Sequence, residues 1–260
     1  MALDLRVPRL RSAAILVLKR NIKVWRKLIG PALLMNFGEP TFYLLGLGFG
    51  LGAYIGQMSD MPYLTFLASG IIASSAMNTA SFEGMYSVFT RMDQQGTYDA
   101  MLAAPLDCDD IIAGEMLWCA TKSLISGVAI VVVAGLLGAI GGWQLLWLIP
   151  VLFLVGLCFA GPAIVMSALS PSYDFFTYYF TLVITPMFIL CGVFYPTDTL
   201  PQALQSFTQI LPLTHAVALV RPLAAGGEPG GVVLHLAVLA AYALVGFYLA
   251  VVLVRRRLIR

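Results

Sequence analysis

The stretch GVFYPTDTLPQALQSFTQILPLTHAVALVRP, from Gly192 to Pro222, decides the fold because it suits neither a membrane span nor a free polar loop. Its many aliphatic residues are interrupted by prolines and ionisable side chains: Pro196, Pro201, Pro212, Pro222, Asp198, His215 and Arg221. Proline is tolerated in the first turn of a helix but breaks a helix interior. The pattern predicts two short amphipathic helices, at 201–211 and 213–221, which are separated by Pro212 and end before Pro222.

Irregular backbone at membrane depth survives only where protein or a water-filled cavity shields it. We therefore expect a re-entrant helical hairpin at 196–223, which dips into the membrane from outside and turns back. Broken helices of this kind point to a translocation path in transporters.

Composition places the rest of the chain in the bilayer. Of its 260 residues, 60% are hydrophobic and 11% are charged, which excludes an ordinary soluble domain. At about 20 apolar residues per span, the chain holds six spans as one domain, 1–260, with little left over. The sequence has no phosphate-binding loop G-x-x-x-x-G-K-[ST], so any nucleotide-driven work must come from a partner chain.

Basic residues are concentrated at the two ends of the chain. Eight lie within 1–30, interleaved with apolar residues at helical spacing, and predict an amphipathic helix along the headgroups, either a topological anchor or also part of gating. Four more arginines lie within 255–260, so the positive-inside rule places both termini in the cytoplasm. The predicted architecture is an all-α membrane protein with six transmembrane helices, at about 33–54, 63–90, 111–138, 145–169, 175–195 and 232–254.

The cytoplasmic connection RMDQQGTYDAMLAAPLDCDD, at 91–110, is the longest internal one and is acidic. Gly96 could begin a short helix and Pro105 could end it. We interpret an exposed acidic helix here as a docking element for a soluble partner with a basic cleft, with a solvated loop as the alternative.

Three ionisable residues, Glu83, Glu115 and Lys122, fall within predicted spans, where charges usually face the bundle interior and are paired or wetted. They form either a structural ion pair of one glutamate with Lys122 or a polar cavity for substrate or protons. His215 has no second metal ligand at ligand spacing, since His235 lies in the last span, so we expect no metal site.

The fifth span opens with FFTYYF, at 175–180, which includes Phe176, Tyr178 and Tyr179. An interfacial aromatic belt explains most of this pattern. A platform on which sugar rings stack is the sharper alternative.

Together these features resemble the ABC-2 type permeases of bacterial exporters. Within that family, several segments are similar to the membrane subunits of lipo-chitooligosaccharide (Nod factor) exporters: YLLGLGFGLG, FLASGIIASSAMNTASFEGMY, GEMLWCATKSLISG, ALSPSYDFFTYYFTLVITPMFILCGVFYP and LPLTHAVALVRP with the terminal RRRLIR. The resemblance covers nearly the whole chain from about Trp25.

The resemblance implies a transport subunit that is not an enzyme and holds no cofactor. It implies a homodimer in the bacterial inner membrane with two copies of a separate ABC ATPase, which binds ATP and Mg, and no nucleic acid partner. The coupling residues implied toward the ATPase are Arg91, Asp93, Gln94, Thr97, Tyr98, Asp99 and Pro105. The candidate path and gate residues are Glu83, Glu115, Lys122, Phe176, Tyr178, Tyr179, Pro212, His215 and Arg221.

The expected function is ATP-driven export of an amphiphilic glycan, a lipo-chitooligosaccharide or related glycolipid. An O-antigen, a capsular polysaccharide or a drug is the alternative cargo. A proton-coupled secondary transporter using Glu83, Glu115 and Lys122 is the alternative of another class. Internal repeats and broken helices in both halves, which mark many such transporters, are missing from the sequence, where only the C-terminal half is broken.

Overall fold

The computed structural model describes residues 6–30, 38 and 41–258, and the chain is mostly helical, at 79%. Helix α1, Ala14–Trp25, continues as a 3-10 turn, Arg26–Leu28. Its buried residues Ala14, Val17 and Asn21 are three and four positions apart and so share one face. This one-sided burial is the pattern that the amphipathic prediction requires; residues 1–5 of the predicted 1–30 segment lie outside the described residues.

Helix α2, Thr41–Ile55, covers most of the predicted first span. The start of that span, residues 33–37, 39 and 40, lies outside the described residues. After α2, strands β1, Gln57–Met58, and β2, Met61–Pro62, pair antiparallel across a two-residue turn. Both turn residues, Ser59 and Asp60, have positive φ, as tight hairpin turns require.

Helix α3 begins with Tyr63–Phe82 and continues without a break to residue 94 through two wider π-helical stretches, Glu83–Ser87 and Thr90–Gln94. At about 1.5 Å per residue its length is about 48 Å, against a hydrocarbon core of about 30 Å. The helix therefore runs past the predicted end at residue 90. Arg91 and Asp93, which the sequence placed in a loop, belong to it.

Helix α4, Thr97–Leu102, is the short helix predicted between Gly96 and Pro105. Gly96 adopts a left-handed conformation, with φ of 58°, which turns the chain sharply at the start of α4. Helix α5, Cys108–Leu136, follows. A capping box starts it, in which the Asp107 N–H donates to Asp110 Oδ2 at 3.1 Å.

The remaining helices complete the bundle. They are α6, Trp143–Leu169, with a 3-10 first turn; α7, Asp174–Leu190; α8, Gln202–Thr208; α9, Pro212–Ala224; and α10, Val232–Leu258. Helices α8 and α9 meet at 85°, with Pro212 in the first turn of α9. The prediction that the second short helix ends before Pro222 is wrong, because α9 continues through Pro222 to Ala224. The proline lies in the last turn, where its missing N–H removes only one intrahelical hydrogen bond.

Among the described residues, three helices are long and apolar enough to cross a membrane: α5, α6 and α10. The bent pair α8 and α9 makes a fourth candidate if it is counted as one span, and α2 and α7 are shorter apolar helices. The apolar helices therefore agree with a multi-pass membrane protein. The count of six spans stays a prediction.

Helices α6 and α10 pack closely because glycines face each other where they cross. A Cβ atom built on Gly246 lies only 2.9 Å from Gly161 Cα. Small residues that let two backbones approach are a common basis of helix association in membranes.

We predict that Gly246→Ala destabilises the protein by about 1–3 kcal/mol, because the added methyl group forces α6 and α10 apart. Thermal unfolding of the purified protein in detergent measures the effect. Gly135→Ala on α5 is the matched control, since an added Cβ there has no neighbour within 4 Å. Equal unfolding temperatures for the two variants would contradict the close crossing.

Candidate functional site

Four charged side chains from α3 and α5 meet inside the bundle and form what we call the ionic cluster: Glu83, Arg91, Glu115 and Lys122. Lys122 Nζ lies 2.8 Å from Glu83 Oε2, and Arg91 Nη2 lies 2.7 Å from Glu115 Oε2. Arg91 Nη2 also approaches Glu83 Oε1 at 3.3 Å and so joins the two pairs. Two carboxylates are thereby balanced by two cations.

Helical spacing brings these residues together. Glu83 and Arg91 are eight positions apart on α3, and Glu115 and Lys122 are seven apart on α5, so each pair occupies nearly one helix face. The Glu83–Lys122 ion pair is one that the sequence predicted. Arg91 was not predicted as a partner, because the sequence placed it in the cytoplasmic connection at 91–110. Its spacing of eight residues from Glu83 was nevertheless a usable signal.

Neutral side chains extend the ionic cluster to a third helix. Asn21 on α1 donates from Nδ2 to Glu115 Oε2 at 3.0 Å, and Trp118 donates from Nε1 to Glu83 Oε1 at 2.8 Å. Both glutamates are buried. Since buried charges persist only when they are paired and hydrogen-bonded, the cluster holds α1, α3 and α5 in one arrangement.

The short helix α4 lies against the ionic cluster. Tyr98 and Met101, one turn apart, point inward, and Tyr98 is fully buried. Burial, reinforced by the nearby negative charge of Glu115, raises the pKa of Tyr98 well above its ordinary value, so its hydroxyl stays neutral. The interpretation of Tyr98 as a docking residue therefore needs correction, because its side chain faces the bundle and not a soluble partner.

Other predicted coupling residues do lie on the surface. Asp93, Gln94, Asp99 and Pro105 are exposed and Thr97 is half-buried. We call the exposed residues Gln94, Gln95 and Asp99 the docking face. Asp93 is engaged within the chain, since Arg257 Nη2 lies 2.9 Å from Asp93 Oδ1.

At the opposite end of the bundle, His215 on α9 meets His235 on α10, with their Nδ1 atoms 2.8 Å apart. His215 Nε2 donates to the Gln209 carbonyl at 2.9 Å, which leaves its Nδ1 to accept the hydrogen bond from His235. The prediction that His215 is a lone histidine is therefore wrong, because α9 packs against the first turns of α10. The described residues contain no group of three or more His, Cys, Asp or Glu side chains that could hold a metal ion.

Arg221 connects α9 to α3 and to the residues that follow α7. Its guanidinium lies 3.6 Å from the centre of the Phe66 ring, and its Nε donates to Ser69 Oγ at 3.1 Å. Its Nη2 donates to the Gly192 carbonyl. Arg221 thus links α3, α9 and the residues that follow α7, and Pro212 begins the helix that carries it.

We predict that His235→Ala weakens the packing of α8 and α9 against α10, because it leaves His215 Nδ1 without its hydrogen-bond donor. The expected cost is about 1–2 kcal/mol, the size typical of a hydrogen bond broken on one side. Hydrogen exchange of the α8–α9 amides measures it. Leu234→Ala, at an exposed neighbouring position, is the control, and unchanged exchange in His235→Ala would contradict the link.

The predicted aromatic platform is divided by the fold. Phe176 and Tyr179 are buried, and Phe176 packs edge-on against Tyr86 and Phe89 of α3. Tyr178 is exposed, with its ring 6.0 Å from that of Phe175. Of the aromatic residues at 175–180, Tyr178 is the one left exposed for stacking on a sugar ring.

Comparison with known proteins agrees with this architecture. Residues 13–223 match the family described as ABC-2 type transporter. The chain is 45% identical to nodulation protein J of Rhizobium leguminosarum bv. viciae, over 94% of each chain. It is 43% identical to nodulation protein J of Rhizobium meliloti, over 94% of this chain and 93% of the relative.

A more distant relative carries a different name. The inner membrane transport permease YadH of Escherichia coli is 24% identical over 76% of each chain. The family match covers most of the chain and the nodulation relatives cover nearly all of it. The chain therefore belongs to the ABC-2 type transporter family, whose members work with an ABC ATPase, and is the multi-pass membrane subunit of an ABC exporter.

Proposed function

We propose that this chain is the permease of an ATP-driven exporter of an amphiphilic glycan, a lipo-chitooligosaccharide or related glycolipid. The similarity to nodulation protein J over nearly the whole chain supports this cargo class. Two copies of the chain would assemble with two ATPase chains, which bind ATP and Mg, in the bacterial inner membrane. Helices α2, α3, α5, α6, α7 and α10 would be the six spans, with both termini in the cytoplasm and α8–α9 as the external re-entrant hairpin.

The observation that carries the proposal is the ionic cluster directly behind α4. An ATPase that pushes on the docking face acts on a helix whose inner residue, Tyr98, is fully buried and lies within electrostatic range of Glu115 and Arg91. Because the cluster joins α1, α3 and α5, a displacement of α4 moves these helices together. The force reaches the long helix α3 and, through it, the path.

The path itself would lie between two copies of the chain. Helices α2 and α7 present exposed apolar side chains, such as Phe42, Phe49 and Leu182, and nothing lies within 4 Å of a Cβ atom built on Gly46 or Gly50. A second copy packed against this side would be closely approached at the glycines. Tyr178 would stack on sugar rings at the inner mouth, and the hairpin held by Arg221 and His215 would gate the outer mouth.

A proton-coupled secondary transporter is not favoured. That class requires carboxylates that exchange protons with a water-filled path. Glu83 is held by Lys122, Arg91 and Trp118, and Glu115 by Arg91 and Asn21. Carboxylates engaged in this way suit a structural role.

The test is ATP hydrolysis by the complex of this chain with its ATPase in lipid nanodiscs, with and without a short acylated chitooligosaccharide. We expect the glycan to stimulate hydrolysis and Asp99→Lys to lower the stimulated rate about tenfold, because the one acidic residue of the docking face is then replaced by a cation. Glu228→Lys is the matched charge reversal at an exposed site between α9 and α10 and is expected to change nothing.

Three outcomes decide between the alternatives. Stimulation by another glycan or a drug, but not by the acylated chitooligosaccharide, would retain the exporter and reject the cargo. Full stimulation in Asp99→Lys would reject the docking face. Transport that stops when the proton gradient is dissipated while ATP remains would reject ATP-driven export.

A further inference from the structure

Two arginines in the last turns of α10 hold the two ends of the segment that contains α4. Arg255 binds Asp109 with two nitrogens, with Nε 2.9 Å from Oδ1 and Nη2 2.6 Å from Oδ2. Arg257 Nη2 lies 2.9 Å from Asp93 Oδ1. Asp93, near the end of α3, precedes α4, and Asp109, in the first turn of α5, follows it. One short stretch of α10 therefore binds the chain on both sides of α4.

The Arg255–Asp109 link is buried and the Arg257–Asp93 link lies nearer the surface, and each link is joined by further hydrogen bonds. The Arg255 and Asp109 side chains are only 11% and 6% exposed, and the Arg9 N–H also donates to Asp109 Oδ2, at 2.8 Å. Arg257 Nη1 donates at 2.7 Å to the carbonyls of Ser167 and Ser170, which end α6. The bidentate fork of Arg255 fixes direction as well as distance, and with the link of Arg257 it sets where the end of α3 and the start of α5 lie relative to α10 and α6.

The positive-inside rule explains basic residues at this end of α10 but does not require any particular partner. Arg256, between the two, is exposed and faces a cleft of about 550 Å³ that is also lined by Leu169 and Pro171. It satisfies the charge rule equally well. The specific carboxylate partners of its two neighbours therefore need another reason.

Gly96 supplies that reason. With its left-handed backbone it is a natural pivot at the start of α4. If a push on the docking face turned α4 about this pivot, less of the push would reach the bundle. The links at Asp93 on α3 and Asp109 on α5 fix the two helix ends between which α4 is held, and so oppose such a turn.

We propose that Arg255 and Arg257 are positioning residues that clamp the two helix ends flanking α4, the end of α3 and the start of α5, to α10, so that a push on α4 is delivered to α10 and α6 as well as to α3. The transmission step rests on the proposed function. The clamp itself is a property of this chain alone, and the experiment separates the two.

The clamp is tested first without an ATPase. Nitroxide labels on cysteines introduced at Ala100 and Leu249, both exposed, report the distance between α4 and α10 by electron spin resonance; the native cysteines Cys108, Cys119, Cys158 and Cys191 are all buried. We expect a narrow distribution in the parent and a clearly broader one in Arg257→Ala and in Arg255→Lys, which keeps the charge but loses the fork. Arg256→Ala is the matched control.

A charge exchange makes the test independent of misfolding. Asp93→Arg combined with Arg257→Asp is expected to restore much of the narrow distribution that either change alone loses. In the complex, Arg257→Ala is expected to lower substrate moved per ATP hydrolysed about threefold, the effect of one lost surface pair, with little change in basal hydrolysis. The exchange is expected to recover it.

Identical label distributions in Arg256→Ala and Arg257→Ala, or no recovery in the exchange, would overturn the clamp. A narrow parent distribution that broadens as expected, in a complex whose ATPase shows no stimulation by any cargo, would retain the clamp and reject the proposed function. A clamp that broadens as expected while transport per ATP stays at the parental value would overturn the transmission step.

Discussion

Arg91→Ala is expected to destabilise the protein by about 3–5 kcal/mol, the cost typical of removing one partner from a buried ion pair. Among the described residues, Arg91 is the only cation that forms an ion pair with Glu115, and this glutamate is fully buried. Without Arg91, Glu115 would retain, among the described residues, the hydrogen bond from Asn21 at 3.0 Å and a longer-range attraction to Arg20, neither of which replaces the ion pair. Thermal unfolding of the detergent-purified chain measures the loss.

Two further variants show whether the loss comes from an unpaired charge. Arg91→Met with Glu115→Leu removes both partners and keeps apolar volume, which is often neutral for a buried pair, so the double variant is expected to recover most of the stability. Arg256→Ala removes an exposed arginine and is expected to cost less than about 0.5 kcal/mol. A single Arg91→Ala variant as stable as Arg256→Ala would show that water reaches the ionic cluster.

The prolines and the hydrophobic pattern predicted two short helices with a break between them, which α8 and α9 confirm. Proline chemistry is local, so the sequence placed the break at Pro212 correctly. It failed at Pro222, because a proline in the last turn of a helix disturbs only one hydrogen bond and neighbouring packing decides whether the helix continues. Helix ends are therefore less predictable than the breaks between helices.

Longer-range pairings were harder to predict. The Glu83–Lys122 ion pair could be predicted from the sequence because charged side chains within membrane spans are usually paired. His215 and His235 could not, since their contact depends on how α9 packs on α10. The π-helical stretches that carry α3 to residue 94 leave no clear mark in composition, so Arg91 and Asp93 were assigned to a loop.

The burial of Tyr98 could not be predicted from the sequence. On paper it lies in an acidic polar segment, next to Asp99, and both residues suit a docking surface. Only the fold shows that the two differ in environment, with Tyr98 buried and Asp99 exposed. The side on which a six-residue helix is covered depends on its neighbours, because its own hydrophobic pattern is too short to fix it.

Tyr98→Ala is therefore expected to cost about 3–5 kcal/mol, as for other large buried aromatic side chains replaced by alanine, because it leaves a cavity between α4 and the ionic cluster. Tyr98→Phe keeps the ring and removes only the hydroxyl, for which the described residues offer no hydrogen-bond partner. It is expected to change stability by less than about 0.5 kcal/mol, since no bond to a protein group is lost. Unfolding of the two variants in detergent gives this comparison directly.

The same pair of variants separates a packing role from a docking role. If Tyr98 acts by filling the space behind α4, Tyr98→Phe retains ATPase stimulation in the complex, whereas Tyr98→Ala loses it together with stability. A Tyr98→Phe variant that is fully stable but unstimulated would place the hydroxyl in contact with the ATPase and contradict the buried position. Asp99→Ala provides the surface counterpart: it is expected to weaken stimulation at unchanged stability, because Asp99 faces outward on the same helix.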